Sequence, residues 1–230
     1  MDFFSRTEKL IGKEGMDKLA VSSVIVFGLG GVGGHAAEAL ARSGVGKLAL
    51  VDFDVVAPSN INRQLIATVD TVSMKKTAAE KNRLLSINPR LDIEIFDEFF
   101  DENSAIDFSG YDYVIDAIDN VPGKILIAER AKEAGVAEIC CLSAGNKLDP
   151  TRFKVGDIFS TSVCPLAKAM RKKLKDRGID KLKVVWSDET PLKNDLAVGD
   201  GGKSVGSAAF VTGVVGLIAA GEAIKDIALR

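Results

Sequence analysis

Downstream of a glycine-rich loop, Gly28-Leu-Gly-Gly-Val-Gly33, the sequence places Asp52, Asp54, Asn60, Arg63, Lys76 and Asp119 in that order. Such a set could hold a nucleoside triphosphate. Gly28, Gly30 and Gly33 follow an apolar run at residues 24–27, with Gly31 between them. There, glycine allows a tight turn, close approach of backbone to phosphate, and close packing of the next helix. The N-terminus of that helix turns free N–H groups toward an anion. Loops of this kind serve NAD, FAD and ATP alike, so the residues that follow decide the chemistry. Asp52 closes the next apolar run, about twenty residues on, where a carboxylate can accept both ribose hydroxyls; the alternative is a solvated turn aspartate. Asp54 follows two residues later, with a role the spacing leaves open.

Ser59-Asn-Ile-Asn-Arg-Gln64 is the first feature a dehydrogenase does not need. Arg63 offers a rigid fork of donors for phosphate oxygens, and Lys76 a mobile point charge. Singly, each reads as a surface charge; after a ribose-binding aspartate, the two together could neutralise a triphosphate. Asp119 lies just past an apolar run, at the sheet edge where ligands bind in open α/β folds. A carboxylate there can hold Mg2+ against phosphates, or it can cap the following helix.

The elements that would position these groups alternate between strand-like and helix-like patterns. Strands are expected at residues 24–27, 48–51, 91–96, 113–118 and 137–142, and helices at 32–43, 72–87 and 122–134. Asn88-Pro89 stops the second helix, because a residue before proline resists the helical region. The alternation predicts an α/β chain with a Rossmann-like, doubly wound and mostly parallel sheet. Beyond residue 150 its character changes. Strands at 153–158 and 183–186 flank a basic helix at 165–177, a polar loop runs over 191–203, and a long helix closes the chain at 207–229. The chain thus reads as a single domain over 1–230, with a nucleotide-binding core at 1–150 and a C-terminal β/α extension at 151–230.

Composition narrows the setting. The sequence has 230 residues, 30 Lys and Arg against 32 Asp and Glu, so a nucleic-acid partner needs a local basic patch and not overall charge. Such a patch is available between residues 168 and 183, which carry eight Lys and Arg; the same run could be a solvated helix face. The uncharged stretch 205–221 falls short of the ~20 apolar residues of a membrane span and is diluted by glycine, so a buried or interface helix is expected, with no membrane contact. Three cysteines supply neither a disulfide framework nor paired CxxC motifs, which suits a cytoplasmic protein with reduced thiols. Cys164 precedes Pro165 and invites a thioester role, but no histidine base lies near it in sequence. The single histidine, His35, falls in the helix after the glycine loop and reads as a packing residue.

Arg6, the glycine loop, Asp52, Ser59-Asn60-x-x-Arg63-Gln64, Lys76 and Asp119-Asn120 resemble the adenylating fold of ubiquitin-activating enzymes and of bacterial relatives that activate sulfur-carrier proteins. The stretches 149–158, 165–167 and 186–191 extend the likeness to one branch, the tRNA threonylcarbamoyladenosine dehydratases. By this resemblance Asp52 would bind ribose, Arg63 and Lys76 the phosphates of ATP, and Asp119 the magnesium, with Asn60, Asp54 and Asn120 completing the site. Arg6 would reach the phosphates of a neighbouring subunit, implying a homodimer, although Lys9 and Lys13 lie close by. The implied substrate is tRNA; association with a sulfur-transfer protein is left open. Carrier-activating relatives commonly hold zinc on two CxxC pairs, which this sequence lacks. The other readings are adenylation of the C-terminal glycine of a ubiquitin-like carrier and a nucleotide-binding scaffold without turnover.

Overall fold

A computed structural model of the chain describes residues 3–193 and 205–229. Seven strands form one sheet: β1 (Ser23–Phe27), β2 (Lys47–Val51), β3 (Asp92–Phe96), β4 (Tyr113–Asp116), β5 (Ala137–Cys141), β6 (Phe153–Asp157) and β7 (Lys183–Ser187), in the order β3-β2-β1-β4-β5-β7-β6. All neighbours are parallel except β6, which runs antiparallel along β7. From β1 the chain winds outward to β2 and β3, then returns to place β4 on the other side of β1. The order therefore reverses between β1 and β4, and a crevice opens at their carboxyl ends.

Alternate strand residues face opposite layers. Val24, Val26, Leu48 and Leu50 point to α1 (Ser5–Val21), α2 (Gly33–Ser43), α3 (Lys76–Ile87) and α6 (Ala209–Ala228). Ile25, Phe27 and Val114 point to α4 (Val121–Ala134), and Cys140 and Val184 to α4 and α5 (Pro165–Asp176). Burying both faces is what makes the strands read as apolar runs. No helix among the described residues is long and apolar enough to cross a membrane. α6 is apolar because it is wedged against α2: a Cβ on Gly216 would stand 2.2 Å from the Val32 carbonyl oxygen, and one on Gly213 3.1 Å from His35.

Three elements differ from expectation. α1 carries no usable apolar period, since only Gly15 and Leu19 of its residues are buried and Gly12 breaks it at φ 74°. α3 starts at Lys76 and not at residue 72, because the backbone before it is used elsewhere: Ser73 N donates to Val56 O, Val56 N to Met74 O, and Lys76 N to Asp54 O. Tertiary pairing there outcompetes helical propensity. β4 ends at Asp116, two residues early, as the chain turns into the crevice. The expected loop at 191–203 falls, beyond residue 193, outside the described residues.

Within the layer between α2 and α3 sits a fully buried acid, Glu80, neither of whose carboxyl oxygens has a hydrogen-bond partner among the described residues. Burial, followed by the nearby Glu38 charge and only partly offset by Arg83, raises its pKa well above the ordinary glutamate value. The folded state thus holds a proton the unfolded chain releases at lower pH, and stability falls as pH rises from the unfolded toward the folded pKa. Glu80→Met should stabilise the protein by about 1–3 kcal/mol, with a larger gain at pH 8 than at pH 5. Urea unfolding at the two pH values checks this; an equal gain at both would mean that Glu80 is not protonated in the fold.

Candidate active site

The crevice holds a cavity of about 340 Å³. Of the residues singled out from sequence, Gly28, Gly30, Gly31, Asp52, Asp54, Asn60, Arg63, Lys76, Asp119 and Asn120 line it; Gly33 and Arg6 do not. The glycines divide the work. Gly28 adopts φ 84° as the chain leaves β1, and a Cβ on Gly33 would lie 1.7 Å from the Gly28 carbonyl oxygen, so α2 can start only from glycine here. A Cβ on Gly30 would meet nothing within 4 Å, because that face of the loop looks into the cavity. α2 has no side-chain cap, and the N–H groups of Gly31, Val32 and Gly33 find no partner among the described residues. This leaves a ring of donors for an anion.

Asp52 stands at the end of β2, 8 % exposed, and works in two directions. Oδ2 accepts from Leu29 N of the glycine loop at 2.7 Å, and Oδ1 from Asp54 N at 2.9 Å. Lys76, 5 % exposed at the first turn of α3, lies 2.7 Å from Asp54 Oδ2 and 3.8 Å from Asp52 Oδ1. Asp54 is therefore the direct counter-ion of Lys76, a role the sequence did not specify. Asn60 caps its own turn by accepting from Ala57 N at 3.0 Å. Arg63 donates to Ser59 O at 3.0 Å and Asn62 Oδ1 at 2.8 Å and has no acidic partner among the described residues, so its guanidinium is an uncompensated charge at the cavity wall. Across the cavity, α4 is capped by Asn120, whose Oδ1 accepts from Gly123 N at 2.8 Å. The capping reading of Asp119 thereby gives way: its exposed carboxylate has no hydrogen-bond partner among the described residues.

Sequence reasoning quoted Gln64 in the motif that ends with it but gave it no role, and overlooked the lining residues Glu98, Phe53 and Phe99. Gln64 and Glu98 each present a buried Oε1 with no hydrogen-bond partner among the described residues, and Phe53 and Phe99 meet edge to face at 5.0 Å while half exposed. Phe53 directly follows Asp52 and was legible as a neighbour of a ribose site; Glu98 and Phe99 follow β3 and carry no motif. Arg6 is exposed on α1. Cys164, 5 % exposed, is buried in the apolar cluster of Ile158, Ala167 and Met170 and does not reach the cavity. Cys140 and Cys141 are buried strand residues; burial first of all raises both thiols, Cys141 to about 12. His35 donates from Nδ1 to the Gly31 carbonyl at 2.9 Å, since a carbonyl can only accept, and packs on α6.

The stretches around 149–158 and 186–191 prove to be one structure. Glu189 accepts from Leu148 N at 2.9 Å and Asp149 N at 3.1 Å, while Asp188 pairs with Arg152 at 2.7 Å and with Lys154. Hydrogen bonds from Lys154 first and Arg152 second hold the Asp188 carboxyl below the usual carboxylate range.

A doubly wound sheet with an uncapped glycine loop, a buried carboxylate and two cations around one cavity defines an α/β nucleotide-binding protein. The chain belongs to the ThiF family, which it matches over residues 4–229. It is 42% identical to the tRNA threonylcarbamoyladenosine dehydratase of Bacillus subtilis, over 97% of this chain and 94% of that protein. Crystal structures of the Escherichia coli tRNA N6-threonylcarbamoyladenosine dehydratase TcdA in complex with AMP and with ATP superpose with TM-scores of 0.91 and 0.89 at 33% identity, covering 98% of this chain and 94% and 93% of theirs. A probable molybdopterin-synthase adenylyltransferase of Porphyra purpurea is 36% identical over only 52% of this chain and 32% of its own length.

Two glycine substitutions separate binding from folding. Gly30→Ala should leave the urea midpoint unchanged and weaken nucleoside triphosphate binding by about tenfold or more, because the methyl group enters the anion's space. Gly33→Ala should destabilise the fold by about 1–3 kcal/mol through overpacking. Titration calorimetry and urea unfolding read the two effects; unimpaired binding by Gly30→Ala would remove the loop from the site.

Proposed function

We propose that this protein is an ATP-dependent dehydratase that closes a ring on threonylcarbamoyladenosine in tRNA through an acyl-adenylate. The observation that carries the proposal is the likeness to the dehydratases along nearly the whole chain, 97% of it, against 52% for the probable molybdopterin-synthase adenylyltransferase. Asp52 binds the ribose, with Asp54 releasing Lys76 toward the phosphates. Arg63 and Lys76, with the loop N–H groups, stabilise charge that develops on the phosphates during transfer. The free Asp119 carboxylate at the cavity edge fits a hard divalent cation such as Mg2+, which would supply further charge neutralisation when bound.

The side-chain carboxylate of the modification attacks the α-phosphorus, forming an oxygen–phosphorus bond and expelling pyrophosphate. A nitrogen of the same modification then attacks the activated carbonyl, losing its proton and expelling AMP, which carries away the carboxylate oxygen. The nucleoside loses one water overall. Ring closure is intramolecular and so proceeds at high effective concentration without an enzyme nucleophile, in keeping with the burial of Cys164.

The core at 1–150 performs this chemistry and the extension at 151–230 presents the tRNA. α5 buries Ala167, Met170 and Leu174 and turns Lys168, Lys172 and Lys175 outward, with Lys175 over the Phe159 ring at 5.4 Å and Arg171 bonded to Thr161. That face tracks the phosphate backbone. Arg6, exposed and outside the cavity, acts from the neighbouring subunit of a homodimer. The setting is the cytoplasm.

Incubation with threonylcarbamoyl-modified tRNA, ATP and magnesium, followed by mass spectrometry of the nucleosides, should show ATP-dependent loss of one water, abolished by Asp119→Ala. An unchanged nucleoside, with pyrophosphate exchange that depends on a ubiquitin-like protein, would favour the carrier-activating reading. Changing Lys168, Lys172 and Lys175 together to alanine should weaken tRNA binding and lower the slope of log affinity against log salt by about 2–3. An unaltered slope would exclude α5 from the interface.

A further inference from the structure

Beneath the crevice, Asp116, Lys124 and Cys140 are enclosed in an otherwise apolar layer, with the half-buried Glu138 beside them. Asp116, at the end of β4, and Cys140 of β5 are register partners, and Glu138 lies two residues before Cys140 on the same face. Lys124, from the second turn of α4, is 1 % exposed and reaches into this group. Its Nζ lies 2.9 Å from Asp116 Oδ1, 2.9 Å from the Cys141 carbonyl oxygen and 3.6 Å from Cys140 Sγ. Acceptor atoms of Asp116, Glu138 and Cys140 all stand within 4.8 Å of one another, a spacing that would suit a cation, and the Lys124 ammonium is that cation. Burial is the largest single influence and works against its charge, but Asp116, by charge and hydrogen bond, and the adjacent Cys140 and Cys141 together hold its pKa above the ordinary lysine value. Asp116 Oδ2 and Glu138 Oε1 are both buried without a hydrogen-bond partner among the described residues. Burial first, and the Asp116 charge second, raise the pKa of Glu138 well above the usual glutamate value.

This is an expensive arrangement for packing alone, since a buried ion pair seldom stabilises more than apolar side chains of the same volume. Its geometry shows another use. Asp116 Oδ1, the oxygen held by Lys124, also accepts from Ile118 N at 3.2 Å. The following segment is fixed on either side, by Ala117 N donating to Phe27 O at 2.8 Å and by the Asn120 cap on Gly123 N. Between these anchors stands Asp119, whose own side chain has no partner among the described residues. We infer that Lys124 and Asp116 are positioning residues for Asp119: the ammonium locks the Asp116 carboxylate in the orientation that holds Ile118 N, and thereby sets where the Asp119 carboxylate meets the phosphates. The inference rests on the role given to Asp119 above.

A neutral replacement separates positioning from stability. Asp116→Leu combined with Lys124→Met removes both charges at once and so leaves neither ion buried alone, although Ile118 N and the Cys141 carbonyl lose a partner, and the urea midpoint should stay close to that of the parent. Turnover in the ATP-dependent dehydration assay should nonetheless fall by about tenfold or more, and the magnesium concentration for half-maximal rate should rise. Asp116→Asn combined with Lys124→Gln keeps an acceptor for Ile118 N and a donor for that acceptor, and should recover most of the lost rate at the same magnesium requirement as the parent. Asp119→Ala is assayed in parallel. If Asp119→Ala is fully active, the role of Asp119 fails; if it is inactive while the apolar pair is as active as the parent, the positioning role fails. The Asn/Gln pair keeps the test decisive where the apolar pair is too unstable to assay: folded but inactive, it overturns the inference.

Discussion

The two oxygens of the Asp52 carboxylate tie together the parts on which the crevice depends. One accepts from the glycine loop at Leu29 N, the other from the turn at Asp54 N, and the Lys76 ammonium stands beside them. A buried carboxylate is tolerated only where such partners replace its hydration. Each partner here also belongs to the site: the loop supplies N–H donors, and Asp54 holds the cation. Were Asp52 apolar, the glycine loop, the β2 turn and the first turn of α3 would lose their common acceptor. The same atoms thus shape the cavity and await its ligand.

The extension is joined to this core by polar contacts as much as by apolar ones. Lys183 of β7 pairs with Glu222 at 2.6 Å and Asp226 at 2.9 Å on α6, and Tyr113 of β4 donates to the same Asp226 carboxylate at 2.9 Å. Asn146, in the left-handed region at φ 56°, exchanges hydrogen bonds with Gly206 and accepts from Leu192 N, each at 2.7 Å. Asn62 donates to Ser207 O at 2.9 Å and accepts from Arg63 at 2.8 Å. Through Asn62, the wall of the cavity and the start of α6 share a hydrogen-bonded path, so the part of the chain read as presenting substrate touches the part read as holding phosphate.

Polar groups that are buried without full satisfaction concentrate around this crevice. Gln64 and Glu98 face the cavity, Asp116 and Glu138 lie beneath it, and Glu80 is covered by the start of α2. A fold selected for stability alone would replace them with apolar side chains. Gln64 and Glu98 offer acceptors to a ligand, whereas Asp116 serves the backbone of the loop that carries Asp119. Glu80 has no counterpart duty, and its cost is borne by the packing of α2 on α3.

Much of this architecture was written in residue spacing. Apolar runs buried on both faces marked the parallel strands, Asn88-Pro89 marked the end of α3, and the glycine loop marked the turn from β1 into α2, because each reflects local sterics or period. The gathering of Asp52, Asn60, Arg63, Lys76 and Asp119 in one cavity follows from that same strand order, once the loops are known to leave from carboxyl ends. Other features had no local signature. α1 has too narrow a buried face to show a period, and the backbone pairing that delays α3 joins segments whose partners are distant. Asn120 and Asp119 are adjacent acceptors of similar propensity, and only the turn into α4 decides which caps and which stays free. The sequence by itself determined the fold class, the order of the strands' contents and the identity of the charged groups at the site, since these depend on periodicity and chemical type. Only tertiary structure decided which charges are paired, with Asp54 on Lys76, Lys124 on Asp116 and Glu189 on two backbone amides, because pairing depends on distances that spacing along the chain does not contain.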